Sequence, residues 1–268
     1  MAITTHDLWV AAAKQRAGWK KTVSRTTVAN RWFSMFELAG NPGAGTLAIG
    51  NTANGLVHTD ATAGYPTINA FGGAATGYLG RAEWYNSVVS RLALYDRLFS
   101  CGAYAFNANT NLTAQPSFLG RIPGGTAALC AGCTELWAEQ VTNATLVQNV
   151  NVRYTNDAGT AGRQTGATAP TTAPVLGSMW QLPLAAGDKG VSLVENVTGT
   201  VASAGTFNVH VMRPLGQLRI PSANWAEVWD YLRTGMPVLY DTSALFVMVM
   251  ADSTVGGLPD CTFDLVNG

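Results

Sequence analysis

The segment ATLVQNVNVRYT, residues 144–155, alternates apolar and polar side chains over most of its length. A period of two is typical of a β-strand with one buried face, because successive side chains of a strand point to opposite sides. The residues of the apolar parity are Ala144, Leu146, Val150, Val152 and Tyr154. The segment therefore predicts a half-buried strand and a β-rich fold around it.

Further strand patterns follow towards the C-terminus, separated by turn residues. VSLVENVT (191–198) and TFNVHVMRPL (206–215) predict an antiparallel pair across the loop GTVASAG (199–205). PVLYDTSALFVMVMADST (237–254) predicts one or two strands, and CTFDLVNG (261–268) predicts another. The C-terminal half thus carries about six to eight strands. That number indicates a β-sandwich, and we expect a jelly roll.

Three segments carry helical signals. Thr5 is a suitable N-cap for a helix that runs to about Gly18. Asn224 is a suitable N-cap for NWAEVWDYLRTG, a helix ending at Gly235. RAEWYNSVVSRLALYDRLFSC (81–101) predicts one amphipathic helix, because its apolar residues recur every three or four positions. That apolar stripe comprises Trp84, Val88, Leu92, Tyr95 and Phe99.

Residues 41–80 are rich in Gly, Ala, Thr and Asn and poor in charge. So long a stretch with so little regular pattern is uncommon inside a compact domain. We expect an extended arm that is ordered by contacts with other subunits. The sequence therefore predicts two regions: an N-terminal helix with a glycine-rich arm over 1–80, and a β-sandwich body over 81–268.

The chain is nearly neutral and poor in charge. Charged residues make up 12% of its 268 residues, hydrophobic residues make up 47%, and the formal net charge is zero. Typical soluble domains carry about 25% charged residues. Either partners cover much of the surface, or a neutral surface of Thr, Asn, Ser and Gly faces water. Zero net charge argues against a large nucleic-acid footprint. No secretory signal and no apolar run long enough to cross a membrane is visible.

Basic residues cluster near the N-terminus, at Lys14, Arg16, Lys20, Lys21, Arg25 and Arg31. At helical spacing such a cluster is more often a solvated face than a DNA site, and it could also dock on an acidic protein surface. From this cluster and from the start of the arm we take the candidate residues for partner contact. These candidates are Lys14, Lys20, Lys21, Arg25, Asn41 and Pro42.

No motif for catalysis, cofactors or metals is present. Phosphate-loop, nucleophile-elbow and zinc-protease patterns are missing. Cys130 and Cys133 form a single C-x-x-C pair without a second pair of ligands, so we expect structural thiols and no metal. His6, His58 and His210 are far apart in sequence, and a structural role is expected for each. The chain is therefore predicted to be neither an enzyme nor a cofactor protein.

Five segments, taken in their order along the chain, resemble a group of tailed-bacteriophage virion structural proteins. They are LALYDRLF, VRYTNDAGTAGRQT, WQLPLAAGDKGVSLVENVT, MRPLGQLRIP and LYDTSALFVMVMADST. The resemblance covers residues 81–268 and, more loosely, NPGAG at 41–45. Each motif is compositional, and their order is the specific part.

The resemblance implies a capsid decoration, or cement, protein that binds the major capsid protein on the outer surface of the virion. Such a protein is made in the host cytoplasm, needs no cofactor, and contacts neither nucleic acid nor membrane. A homo-oligomer is expected, with a trimer favoured by analogy with cement proteins in general. Two alternatives stay open: a tail, adaptor or receptor-binding spike component, and a glycan-binding or glycan-cleaving β-sandwich protein that uses aromatic platforms.

Overall fold

A computed structural model describes residues 3, 5–49, 51–72, 76–145, 149–167, 174–199 and 204–267. Within these residues the chain is mainly β, as the sequence predicts. The α-helices are α1 (His6–Ala11) and α2 (Tyr231–Thr234), short 3₁₀ helices lie at Leu119–Arg121 and Ala127–Cys130, and no helix of the described residues is long and apolar enough to cross a membrane. The strands are β1 (Lys14–Lys21), β2 (Arg31–Ser34), β3 (Gly40–Asn41), β4 (Asn51–Val57), β5 (Thr76–Asn86), β6 (Ser90–Ala105), β7 (Asn109–Asn111), β8 (Glu135–Thr142), β9 (Val150–Asn156), β10 (Arg163–Gln164), β11 (Ser178–Leu182), β12 (Val191–Gly199), β13 (Thr206–Ile220), β14 (Trp225–Trp229), β15 (Val238–Tyr240), β16 (Leu245–Ala251) and β17 (Asp260–Asn267).

A small antiparallel barrel forms the centre of the molecule. Its strands follow the order β13-β8-β11-β2-β16-β6, and β13 also pairs with β6, which closes the ring. β4 extends the sheet by pairing with β6. Closure leaves no free edge among the ring strands, so their backbone groups pair within the chain. The long strands β6 and β13 close the ring, because β13 pairs with both β8 and β6, and β6 pairs with both β13 and β16.

Two further sheets pack on the barrel and give a sandwich-like arrangement. The terminal sheet has the order β14-β5-β17-β1-β3, with β15 also on β5, and the small sheet has the order β10-β9-β12-β7. Leu94 and Val247 of the barrel pack with Trp19, Trp84 and Phe263 of the terminal sheet. Another part of the barrel wall packs on the small sheet through residues that include Leu136, Val152, Val194 and Val211.

The amphipathic helix predicted over 81–101 is wrong, because this segment forms most of β5 and the first part of β6. β6 is covered on both faces. Leu92 and Leu94 pack towards the terminal sheet, whereas Ala93 and Tyr95 belong to the cluster inside the barrel. A strand buried on both faces is apolar at both parities, so it also contains apolar residues at spacings of three and four.

The other helix predictions are correct only in part. Thr5 caps α1 by accepting a hydrogen bond from the Leu8 amide, but the helix ends at Ala11, and the basic segment after it is strand β1. In the C-terminal segment β14 replaces the first turns of the predicted helix. α2 begins after Asp230, whose side chain caps it, and Gly235 follows in the left-handed conformation.

Two predictions about chain organisation also differ from the structure. β12 and β13 do not pair with each other, because β12 lies in the small sheet and β13 in the barrel. The division at residue 80 falls inside β5, and β1 pairs along its length with the last strand, β17. N-terminal residues are therefore built into the same sheet as C-terminal ones.

The glycine-rich segment packs on its own chain. Leu47, Tyr65, Ile68 and Phe71 are buried within it. Gly64 has φ +99°, and a Cβ there would stand 2.6 Å from the Gly45 Cα and equally close to the Phe36 ring. Glycine is needed at Gly64 both for the backbone angle and for the close approach.

We expect Gly64→Ala to lower the free energy of unfolding by about 3 kcal/mol, through backbone strain and overpacking. Gly43→Ala is the matched control, since a Cβ at Gly43 meets no atom of the described chain within 4 Å. Urea unfolding of both variants measures the difference. Equal stability of the two variants would show that the segment does not pack tightly on this chain.

Candidate functional site

Two of the six predicted contact residues lie on β1 with their amines at the surface. Lys14 donates to the carbonyls of Trp9 (2.8 Å), Val10 (3.1 Å) and Ala12 (3.2 Å), so it satisfies the C-terminal end of α1. Lys20 pairs with Asp260 of β17 at 2.7 Å, and its side chain is 57% exposed. Both lysines are exposed, and both amines are bonded to groups of their own chain.

Lys21 and Arg25 are buried, which the sequence did not indicate. The Lys21 amine donates to the carbonyls of Leu38 (3.0 Å) and Phe36 (3.3 Å), and burial lowers the pKa of Lys21 to about 8. Arg25 pairs with Glu37 and donates to the Leu176 carbonyl, and burial lowers its pKa. Both cations hold parts of this chain together.

Asn41 and Pro42 lie at the free edge of the terminal sheet. Asn41 is exposed on β3, directly opposite Lys20 on β1, and Pro42 is half-buried beside it. Of the six predicted contact residues, Lys20, Asn41 and Pro42 therefore form one surface group, which we call the β3 edge. The structure brings these three together and separates them from the buried Lys21 and Arg25.

The barrel encloses a chain of polar side chains that are distant in sequence. His58 Nε2 lies 2.8 Å from Ser100 Oγ, and Ser100 Oγ lies 2.6 Å from His210 Nδ1. His210 Nε2 lies 2.9 Å from Glu139 Oε2. Alternation on β13 and β8 places His210 and Glu139 inside, since their strand neighbours Val209, Val211 and Ala138 pack in the core under the small sheet. We call these four side chains the buried relay.

Arg97 supplies the positive charge beside the buried relay. Its guanidinium lies 3.7 Å from Glu139 Oε2, donates to the Tyr65 hydroxyl, and stacks over the rings of Phe36 and Phe246. Burial alone would raise the pKa of Glu139, but the His210 hydrogen bond and Arg97 hold it below its usual value. Glu139 is therefore a carboxylate at neutral pH.

The carboxylate state fixes the direction of the hydrogen bonds. Glu139 accepts from His210 Nε2, so His210 Nδ1 is the free acceptor for the Ser100 hydroxyl. Ser100 Oγ in turn accepts from His58 Nε2. Burial, with help from Arg97, lowers the pKa of both histidines, and that of His58 lies well below its usual value. The buried relay therefore has one consistent arrangement, with both rings neutral.

A second buried carboxylate lies next to this cluster on β6. Asp96 accepts from the Ala244 amide (2.9 Å) and the Ser243 hydroxyl (3.0 Å), and it pairs with Arg213 (3.2 Å) and Arg121 (3.5 Å). Burial would raise its pKa, but the two arginines hold it below the usual value. These bonds tie β6, β13 and the start of β16 together.

Ser100, His210 and Glu139 are hydrogen-bonded in the same order as the nucleophile, the base and the carboxylate of a catalytic triad. The sequence contains no local motif for such a set. The partners come from three different strands, so no spacing along the chain could reveal them. All three side chains have no exposed surface, and a substrate has no access to Ser100 in this fold. The hydrogen bonds among these three side chains instead connect strands β6, β13 and β8 of the barrel.

The cysteines are free thiols in the core or close to it. Cys101, Cys130 and Cys261 are buried, and Cys133 is half-buried. Within the described residues no group of His, Cys, Asp and Glu has a metal-site arrangement. We expect purified protein to contain far less than one zinc per chain by elemental analysis. One zinc per chain that disappears in Cys133→Ser would contradict this.

Exposed apolar side chains occur on β14, at the other edge of the terminal sheet, and on α1 and α2. Val10 on α1, Trp225 and Val228 on β14, and Leu232 on α2 are 57%, 47%, 45% and 74% exposed. Tyr231 joins the two helices through its hydroxyl to His6 (2.9 Å) and its ring on Trp9 (5.2 Å between centroids). We call these four exposed residues the apolar edge. A cleft of about 480 Å³ adjoins Leu232.

Comparisons with known proteins do not assign this chain to a family. No protein-family model matches the chain, and no curated protein matches it significantly. Among solved structures, the VP2 subviral particle of infectious bursal disease virus covers 96% of this chain and 80% of its own, at 8% identity and a TM-score of 0.19. Structures of the Gt and Gx strains of that virus match at 7% identity with TM-scores of 0.18 and 0.17, covering 96% and 95% of this chain and 80% of their own. TM-scores this low do not establish a common fold.

Proposed function

We propose that this protein is a structural component of a phage virion, and that it acts as a capsid decoration, or cement, protein. The observation that carries the proposal is the apolar edge. Four large apolar side chains lie exposed on β14, α2 and α1, and the two helices contact each other through Tyr231. Clustered exposed apolar residues mark protein–protein contact surfaces. The sequence resemblance to virion structural proteins is the reason for proposing that this contact surface acts in a phage particle.

Each surface fits a different partner. Interfaces between permanent copies are the more apolar class, so we assign the apolar edge to a second copy of this chain, within a trimer. The β3 edge, with Lys20, Asn41 and Pro42, is polar and lies at the opposite end of the terminal sheet. We assign it to the major capsid protein. One oligomer then spans several capsid subunits, on the outer surface of the shell.

The rigidity of the body supports this role. Genome pressure loads the boundaries between capsid subunits, and a bridging protein resists their separation only if it does not deform. A closed barrel tied by buried ion pairs meets that requirement. Each contact of standard size buries about 1,600 Å². Many such contacts act together, so no single one needs high affinity. In this proposal the protein binds and bridges, without catalysis or cofactor.

Point variants test the two assignments separately. Because β1 pairs with β17, removing residues 1–80 would break the terminal sheet, so a truncation is not informative. Leu232→Ser with Trp225→Ser should shift the protein to monomer in analytical ultracentrifugation. Lys20→Glu with Asn41→Asp should keep the oligomer and weaken co-sedimentation with purified empty capsids. Arg153→Glu is a control, since Arg153 lies on the small sheet and is half exposed.

Particles that lack the protein test the role itself. They should release DNA at lower temperature and under milder osmotic shock than complete particles. Particles of equal robustness that fail to adsorb to cells would instead support a receptor-binding spike. Particles that are normal in both respects would remove the structural proposal altogether.

A further inference from the structure

Two arginines lie side by side at one end of the barrel sheet. Arg91 on β6 and Arg219 on β13 are directly opposite in register, so their side chains share one face of the sheet. Both are exposed, while their strand neighbours Leu92 and Leu218 are buried in the core under the terminal sheet. Like charges in this position repel each other and destabilise the strand pair.

No ion pair among the described residues relieves this repulsion. Most other Lys and Arg side chains pair with a carboxylate or donate to backbone carbonyls, even at exposed positions such as Lys20 and Arg233. Within the part of the chain that the structure describes, no ion pair or side-chain hydrogen bond involves Arg91 or Arg219. Two guanidinium groups with all their donors available are a ready receptor for an oxyanion, which arginine binds with paired hydrogen bonds.

A small cavity lies between these residues. It measures about 130 Å³ and is lined by Asn30, Val89, Ser90, Arg91, Arg219, Met250 and Asp252. Since a water occupies about 30 Å³ in the liquid, the cavity has room for one small oxyanion. Asp252 adds an acceptor to this cationic site. A carboxylate there repels a fully ionised anion but accepts a hydrogen bond from one that still carries an O–H group.

We propose that Arg91, Arg219 and Asp252 form a binding site for inorganic phosphate. At neutral pH phosphate retains an O–H for Asp252 and presents negative oxygens to the two arginines. Sulfate has the same shape but no O–H at this pH, so the site discriminates against it. The site is independent of the proposed function.

Isothermal titration of the intact protein with inorganic phosphate, methyl phosphate and sulfate tests the site. We expect saturable phosphate binding that weakens about tenfold or more in Arg91→Gln and in Arg219→Gln. Arg233→Gln removes the same charge at an exposed position elsewhere and should bind as the wild type does. Asp252→Asn should reduce the preference of phosphate over sulfate. Methyl phosphate, like other phosphate monoesters, mostly lacks an O–H at neutral pH and should therefore bind more weakly than inorganic phosphate. Equally tight binding of methyl phosphate would contradict the role of Asp252.

Folding is monitored separately. Arg219→Gln removes a repulsion, so its thermal midpoint should equal or exceed that of the wild type without phosphate, and added phosphate should raise the midpoint of the wild type only. Phosphate binding that is absent, that is unchanged in both arginine variants, or that is matched by sulfate in the wild type would overturn the proposal.

Discussion

Replacing Glu139 with Gln is expected to lower the free energy of unfolding by about 3–5 kcal/mol. Glu139 accepts from His210 and faces Arg97, and all three side chains are buried. Gln has nearly the same shape but no charge. The Arg97 guanidinium then stays buried without a counter-ion. Burying an unpaired charge costs much more free energy than the original ion pair contributed to stability.

Glu83→Gln is the matched control for this change. Glu83 pairs with Arg81 at 2.9 Å on the terminal sheet, and its side chain is 43% exposed. Solvent screens such a pair, so its loss should cost less than about 1 kcal/mol. Chemical unfolding monitored by tryptophan fluorescence measures both values. A loss below 1 kcal/mol for Glu139→Gln would mean that the buried relay does not hold the barrel together.

The second large effect is a loss of stability in mild acid. Unfolding exposes His58 and His210, whose ordinary pKa is about 6.5. In the folded protein burial and Arg97 lower both pKa values, with Arg121 adding to the effect at His58. Below pH 6.5 the unfolded chain therefore binds more protons than the folded one. Stability then falls as the pH falls, by about 1.4 kcal/mol per pH unit for each histidine that stays neutral.

The histidines and the buried carboxylates affect stability over different pH ranges. Glu139 and Asp96 have lowered pKa values, so their contribution is lost only in stronger acid. Unfolding free energies measured between pH 7 and pH 5 isolate the histidines. His58→Gln should flatten the dependence. A pH-independent stability over this range in the wild type would contradict neutral, buried histidines.

Sequence patterns predict the one-sided strands well and the two-sided strands poorly. β9 alternates cleanly because one face packs on the barrel, and it was found where the alternation placed it. β6 is covered by the terminal sheet on one side and by the barrel interior on the other, so its apolar residues carry no period of two. Which strands pair with each other was harder to predict than where the strands lie in the sequence. The separation of β12 from β13 depends on contacts with β9 and β6, far away in sequence.

The site was less predictable than the fold. A basic segment gives no sign of which cations will be buried, and the partners of Lys21 and Arg25 lie 12 or more positions away in the sequence. The buried relay joins residues from positions 58, 100, 139 and 210, each unremarkable in its own segment. One signal was available. His210 lies between Val209 and Val211 in a strand pattern, and a polar residue on a covered strand must find a partner.

The central proposal is that this protein coats a phage shell, and its copy number per particle tests that most directly. Quantitative mass spectrometry of purified virions gives the ratio of this protein to the major capsid protein. A cement protein that bridges capsid subunits throughout the shell is expected at a ratio close to one, with hundreds of copies per particle. Tens of copies or fewer would indicate a spike or adaptor, and absence from the particle would contradict the account.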